Sequence, residues 1–196
     1  MKNFIKEQVR LSYETKQNIY ENSEFLDIVT TVAQKCVNVY KNSKKILIAG
    51  NGGSAADAQH FAAELVGRYG FDRPSLPSLA LTTDTSNITA IGNDYGYEFI
   101  FSRQIESMAN SGDLFIGIST SGNSQNVINA FEAASNKGVT TVALTGRDGG
   151  KMSDLADYAI VIPSNSTPRI QESHLLIEHI ICDIIEQEMF GSGIAK

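Results

Sequence analysis

The strongest constraint on the fold is a repeated pattern. Five short apolar runs each end in small polar residues or glycine, and helix-like segments separate most of them. The runs are KKILIAG (44–50), SLALTT (78–83), DLFIGISTSG (113–122), VTTVALTG (139–146) and YAIVIPS (158–164). A continuous apolar run of this length fits a strand covered on both faces. Amphipathic helices are predicted over 55–66, 97–109, 125–137 and 168–190, where apolar residues recur at helical spacing. Strands alternating with helices imply parallel pairing through helical crossovers. The predicted architecture is therefore α/β, a three-layer α/β/α sandwich. Two further helices over 3–42 precede the alternation, with Asn22-Ser23 as a break and a cap. They either cover one face of the sheet or pack against another subunit. RYGFDRPSLPS (68–78) reads as a long loop, and GSGIAK (191–196) as a frayed tail.

Composition narrows the function classes. The 196 residues suit one well-filled core. The formal charge of -6 disfavours a non-specific nucleic-acid grip, which needs a basic surface. Cys36 and Cys182 both lie in apolar, helix-like surroundings and read as buried, reduced thiols. The first twenty residues are charged throughout, so no secretory signal is expected, and no run is long enough to span a bilayer. A cytoplasmic protein without membrane or nucleic-acid partners is the expectation.

In open parallel sheets ligands bind at the carboxyl ends of the strands. Here those ends carry Gly50-Asn51-Gly52-Gly53-Ser54, Ser119-Thr120-Ser121-Gly122-Asn123-Ser124 and other small polar residues. Such loops offer hydroxyls and open backbone amides, which suits a polyhydroxylated, phosphorylated ligand. GNGGSA formally matches a dinucleotide fingerprint, but the acidic residue expected about 20 positions on is missing. STSGNS follows a strand and opens a helix, so it reads as an anion site rather than a simple serine cap. It lacks the lysine of a nucleoside-triphosphate loop.

His60 and Glu64 are four apart on one helix and share a face. They fit a surface pair, two metal ligands, or a base and its partner. In the last helix Gln171, His174, Glu178 and His179 interrupt an apolar pattern. Gln171 and His179 point to one side but lie about 12 Å apart along the axis. Either their side chains lean together or some of them serve a neighbouring subunit. His174, on another face, reads as structural or surface.

These residues, with Asn93-Asp94 and the segment Thr167-Pro168-Arg169-Ile170-Gln171-Glu172, together resemble the phosphoheptose isomerases of the sugar isomerase (SIS) domain family over essentially the whole chain. The resemblance implies a five-stranded parallel sheet of flavodoxin-like type in a single domain over 1–196. Residues 44–190 would form the α/β core and 1–43 helices in oligomer packing. It implies a cytoplasmic homotetramer with active sites at subunit interfaces. The implied reaction converts sedoheptulose 7-phosphate into D-glycero-D-manno-heptose 7-phosphate, toward lipopolysaccharide or capsule. Glu64 and His179 would be the acid/base pair. Asn51, Gly52, Gly53, Ser54, Glu64, Asn93, Asp94, Ser119, Thr120, Ser121, Ser124 and Gln171 would bind substrate. His60, Glu64, Gln171 and His179 match positions that hold zinc in some members, one ion per subunit. Two rivals remain at this point: a non-catalytic relative of the DnaA initiator-associating type, and an isomerase of another sugar phosphate.

Overall fold

A computed structural model describes residues 1–192; the end of the GSGIAK tail, 193–196, lies outside the described residues. Five strands, β1 Ile46–Gly50, β2 Ser78–Ala80, β3 Leu114–Ser119, β4 Thr140–Gly146 and β5 Tyr158–Ile162, form one all-parallel sheet in the order β2-β1-β3-β4-β5. This is the flavodoxin-like order, whose direction of winding reverses between β1 and β3. The two loops rich in small polar residues, 50–54 and 119–124, therefore leave the sheet at its switch point. β1 and β3 are buried at every position, which is why their sequences are continuous apolar runs and not alternating ones.

Helices cover both faces. On one side lie α2 (Ser23–Lys41), α3 (Gly53–Val66) and α8 (Thr167–Phe190), whose apolar stripes meet Ile46, Ile48, Ile116, Ile118, Val142 and Leu144. On the other lie α5 (Ser102–Met108), α6 (Gln125–Asn136) and α7 (Gly150–Leu155), packed on Leu47, Ala49, Phe115 and Ala143. The strand residues split by parity because successive side chains point to opposite faces. Gly117 admits α6: a β-carbon there would press on Val127 and Phe131. The chain is thus the three-layer sandwich that the alternation predicts.

The two leading helices differ. α2 is capped by the Asn22 side chain, which accepts from Phe25 N at 3.0 Å, and buries Val32, Cys36 and Val37 against the sheet. α1 (Lys2–Glu21) buries only Thr15 and Ile19 and leaves Phe4, Ile5, Val9, Tyr13 and Tyr20 exposed. Both cysteines are free and buried, and burial pushes the Cys36 thiol up to about 12.

Three elements depart from the sequence reading. α4 (Thr85–Asp94) occupies a segment in which no helix is expected; Asp84 caps it by accepting from Asn87 N at 3.0 Å. Only Ile88 and Ile91 tie it to the core, too few for a periodic signal. The helix expected over 97–109 is a 3-10 turn at Tyr97–Phe99 followed by the separate α5. α7, six residues long and opening at Gly149-Gly150, two glycines with positive φ, carried no pattern to read.

The long loop 68–78 is held by one carboxylate. Glu186 of α8 is 1% exposed and accepts from the backbone N–H groups of Tyr69, Gly70 and Phe71 and from Arg73 Nε, at 2.5–3.0 Å. Burial alone would raise this carboxyl, but the hydrogen bonds outweigh it and hold the pKa at about 2, against an ordinary 4.5. A depressed acid stabilises the fold fully above its unfolded pKa, and that contribution disappears as pH falls from about 4.5 through about 2. In urea unfolding, Glu186→Gln should therefore lie well below the parent above pH 5 and converge with it in acid. A constant gap across that range would contradict the ionised clasp.

Candidate active site

α3 starts at the carboxyl end of β1, and α8 starts after β5, so both helices descend along the same face from the same edge of the sheet. Near their starts, the Gln171 side-chain amide lies against Gly53, and a β-carbon at 53 would displace it. Two turns further on, His60 faces His179. Seven residues of α3 and eight of α8 advance about 10 and 12 Å, so parallel packing keeps the pairs in step.

His60 Nε2 and His179 Nε2 are 2.9 Å apart, and His60 Nε2 is 3.3 Å from Glu64 Oε1. One ligand atom from each of the three lies within 4.8 Å of the others. His60 is exposed; Glu64 and His179 are half-buried. The ring of Tyr69 lies tilted on that of His179, centroids 5.6 Å apart. Two imidazole nitrogens and one carboxylate oxygen converging on one point match the ligand set of a zinc centre with an open position. The same geometry puts a carboxylate and an imidazole, 115 positions apart in sequence (179 minus 64), within reach of one small molecule. Gln171 stays roughly two helical turns away. Within one chain, three of the four expected metal ligands meet.

The other polar residues of α8 turn inward. His174 is fully buried, its Nε2 2.9 Å from the Thr145 carbonyl, and burial lowers its pKa to about 4. Its placement is interior and structural, not at the surface. Glu178 is also fully buried; burial, with a smaller contribution from Asp57, raises it to about 8.

At the switch point, the serine loop takes a form that capping alone does not require. Ser124 is the N-cap residue of α6, yet its side chain makes no cap hydrogen bond. Its hydroxyl pairs with Ser119 Oγ at 2.9 Å, and Ser121 Oγ lies 3.4 Å from Ser119 Oγ. Half-buried Thr120 lies between them. Gly122 has φ +64 and touches the Gly149 carbonyl so closely that only glycine fits. Three hydroxyls beside the amides of a helix start are the groups that an anion cradle would use.

The first loop faces this cradle. Asn51 exchanges amide hydrogen bonds with buried Asn126, at 2.8 and 2.9 Å, and accepts from the Tyr97 hydroxyl at 2.9 Å. Asn51, Tyr97, Glu98, Ser124, Gln125 and Asn126 line a hollow of about 450 Å³. Gly52 holds φ +56, and Ser54 is buried. Asn93 and Asp94 are not part of this hollow. They are exposed at the end of α4, bonded to each other at 2.8 Å, and Asp94 borders a separate depression with Arg103 and Gln104. Asn126, Tyr97 and Tyr69 were not anticipated from sequence: each acts through a contact with a residue distant in the chain, which no local pattern encodes.

The SIS domain family profile matches residues 15–146. The chain is 68% identical to a phosphoheptose isomerase from Sulfurimonas denitrificans, covering 99% of this chain and 100% of that one. It is 57% identical to a phosphoheptose isomerase from Aneurinibacillus thermoaerophilus, covering 97% and 96%. The solved structure of a phosphoheptose isomerase from Neisseria gonorrhoeae superposes with a TM-score of 0.89 at 43% identity, covering 95% and 98%.

A serine that caps a helix is worth about 0.5–2 kcal/mol. Since Ser124 spends its hydroxyl on Ser119, Ser124→Ala should alter unfolding free energy by less than about 0.5 kcal/mol. It should weaken inorganic phosphate binding, read by titration calorimetry, several-fold. A large stability loss with unchanged phosphate binding would return Ser124 to a capping role.

Proposed function

The chain belongs to the SIS domain family and, within it, to the phosphoheptose isomerases, and from that premise we propose how its residues carry the reaction. It is an aldose–ketose isomerase that interconverts sedoheptulose 7-phosphate and D-glycero-D-manno-heptose 7-phosphate in heptose biosynthesis. The observation that carries the mechanism is the meeting of Glu64 and His179, from two helices, on the same side of the sheet.

The interconversion moves a proton between C1 and C2. Glu64 takes the proton from one carbon and returns it to the other through a cis-enediol. His179 serves the neighbouring oxygens, as an imidazole can hold or release a proton near neutral pH. Ser119, Ser121 and Ser124, with the amides opening α6, hold the phosphate. Thr120 joins that loop, while Asn51, Gly52, Gly53, Ser54 and Gln171 orient the sugar hydroxyls; Asn93 and Asp94, outside this hollow within one chain, carry no such role here. Fixing the remote phosphate places the reacting carbons, so binding energy far from the chemistry acts on the barrier.

His60, Glu64 and His179 also form a fitting zinc site, one per subunit. Bound there, zinc would supply a Lewis acid for the substrate oxygens. Gln171 completes the set only from a neighbouring copy or by a shift along α8. A homotetramer with sites at subunit boundaries supplies the first route, and the exposed apolar face of α1 supports such assembly. Among the described residues no helix is long and apolar enough to cross a membrane. A cytoplasmic role, feeding activated heptose to lipopolysaccharide or capsule, accords with the substrate.

Replacing the base isolates chemistry from binding. Glu64→Gln should lower kcat by about 10²–10⁴-fold while phosphate binding by calorimetry changes little. Parent-level turnover in that variant would remove Glu64 from the mechanism, and a wild-type chain that leaves sedoheptulose 7-phosphate unchanged would point to another sugar phosphate or to a non-catalytic role. For the metal, wild-type protein dialysed against zinc should retain it stoichiometrically by elemental analysis, and His60→Ala should lose most of it. Equal retention by both would place zinc elsewhere.

A further inference from the structure

The loop after α3 holds a residue that touches the reacting imidazole, and a buried ion pair fixes that loop. We propose that Tyr69 is a positioning residue for His179, and that the Arg73–Glu186 pair acts on catalysis through it. The proposal rests on the isomerase reading of Glu64 and His179 given above.

The Tyr69 ring lies on the His179 ring at a centroid distance of 5.6 Å and an interplanar angle of 41°. His179 also meets His60, edge to face at 5.2 Å. The imidazole thus contacts two rings, and its Nε2 is aimed at the convergence point with His60 and Glu64. Without Tyr69, the imidazole could swing away about its side-chain torsions.

Tyr69 itself belongs to a loop with no helix or strand of its own, 67–77, which would otherwise sample many conformations. Its backbone N–H is fixed at 2.9 Å by Glu186 Oε2, and the next two N–H groups by Glu186 Oε1. Arg73 closes the clasp. Its Nε donates to Glu186 at 2.8 Å, and its remaining nitrogens donate to the carbonyls of Glu64 and Leu65, each at 2.8 Å. Both partners are almost wholly buried, at 2% and 1% side-chain exposure. One guanidinium thus holds the backbone of the candidate base at the end of α3, while its carboxylate partner holds the ring that steadies the candidate acid. A loop that only needed anchoring would require neither link. Buried, fully hydrogen-bonded polar networks fix one arrangement of their surroundings.

The experiment is a mutant cycle on the full-length protein, with sedoheptulose 7-phosphate as substrate and thermal unfolding measured alongside. Tyr69→Leu removes the ring but keeps the backbone N–H, so the clasp and the unfolding midpoint should survive. Misplacing a reacting group by about 1 Å can cost about 10²-fold, so kcat is expected to fall about tenfold or more while KM changes less than about twofold. Tyr69→Phe, which restores the ring, should recover most of kcat. Glu186→Gln weakens the clasp and should lower both kcat and the midpoint. If it acts through Tyr69, the double variant should lose little more kcat than the worse single one. Parent-level kcat in Tyr69→Leu would overturn the proposal. So would no recovery in Tyr69→Phe, or losses that multiply in the double variant. These failures are distinct from failure of the isomerase reading, which the wild-type chain would show by not turning over the substrate.

Discussion

The parallel register of α3 against α8 is the constraint on which the rest depends. Each helix starts at the same edge of the sheet and buries an apolar stripe on it: Ala58, Phe61, Ala62 and Leu65 from one, Ile170, Ile177, Ile181 and Ile185 from the other. Once those stripes are seated, the facing positions are fixed. Gly53 receives Gln171, and His60 receives His179. A shift of one helical turn, about 5.4 Å, would leave every apolar residue near some partner but would separate the two imidazoles. The site is therefore positioned by hydrophobic packing on the sheet side, and the polar atoms need little help from one another to meet.

α8 also shows how environment divides residues of one type. Glu178 and Glu186 lie eight positions apart and are both buried. Glu186 meets three backbone N–H groups and a guanidinium and stays ionised into strong acid. Glu178 meets an apolar interior and the Asp57 carboxylate, and its pKa rises to about 8. Burial penalises the charge in both cases; the supply of donors and the neighbouring charge differ. The same holds for the histidines. His174 is enclosed and kept neutral, whereas His179, five residues later, reaches the face that α3 shares.

Much of the fold was legible because it is written in apolar periodicity. All five strands and the two leading helices follow from runs and spacings, and the α3 and α8 boundaries fall within two residues of the reading. α4 and α7 were hidden because short helices rich in small polar residues bury too little to leave a pattern. For the site, His60 and Glu64 were legible as a pair on one helix face, and STSGNS as a strand-to-helix turn with more hydroxyls than a cap needs. That His179 joins the pair, while Gln171 remains at Gly53, depends on the register of two helices. The Glu186 clasp was invisible for the same reason: a lone acid in an apolar stretch shows that it needs partners, and not that they are the amides of a loop 115 to 117 positions earlier.

The charge balance poses one more problem, which the topology answers. The chain carries a net charge of -6, and neither candidate loop, 50–54 nor 119–124, contains a lysine or arginine. In the proposed reading an anionic substrate is nevertheless drawn to the serine turn. All five strands run the same way, so the helices that follow β1, β3 and β5 start at one edge of the sheet. Their amino ends bring partial positive charge and unsatisfied N–H groups to that edge. In the proposed reading, fixed dipoles of this kind grip the phosphate together with the serine hydroxyls. Phosphate affinity built from backbone and hydroxyls thus leaves the proton chemistry to be tuned separately by the residues of α3 and α8.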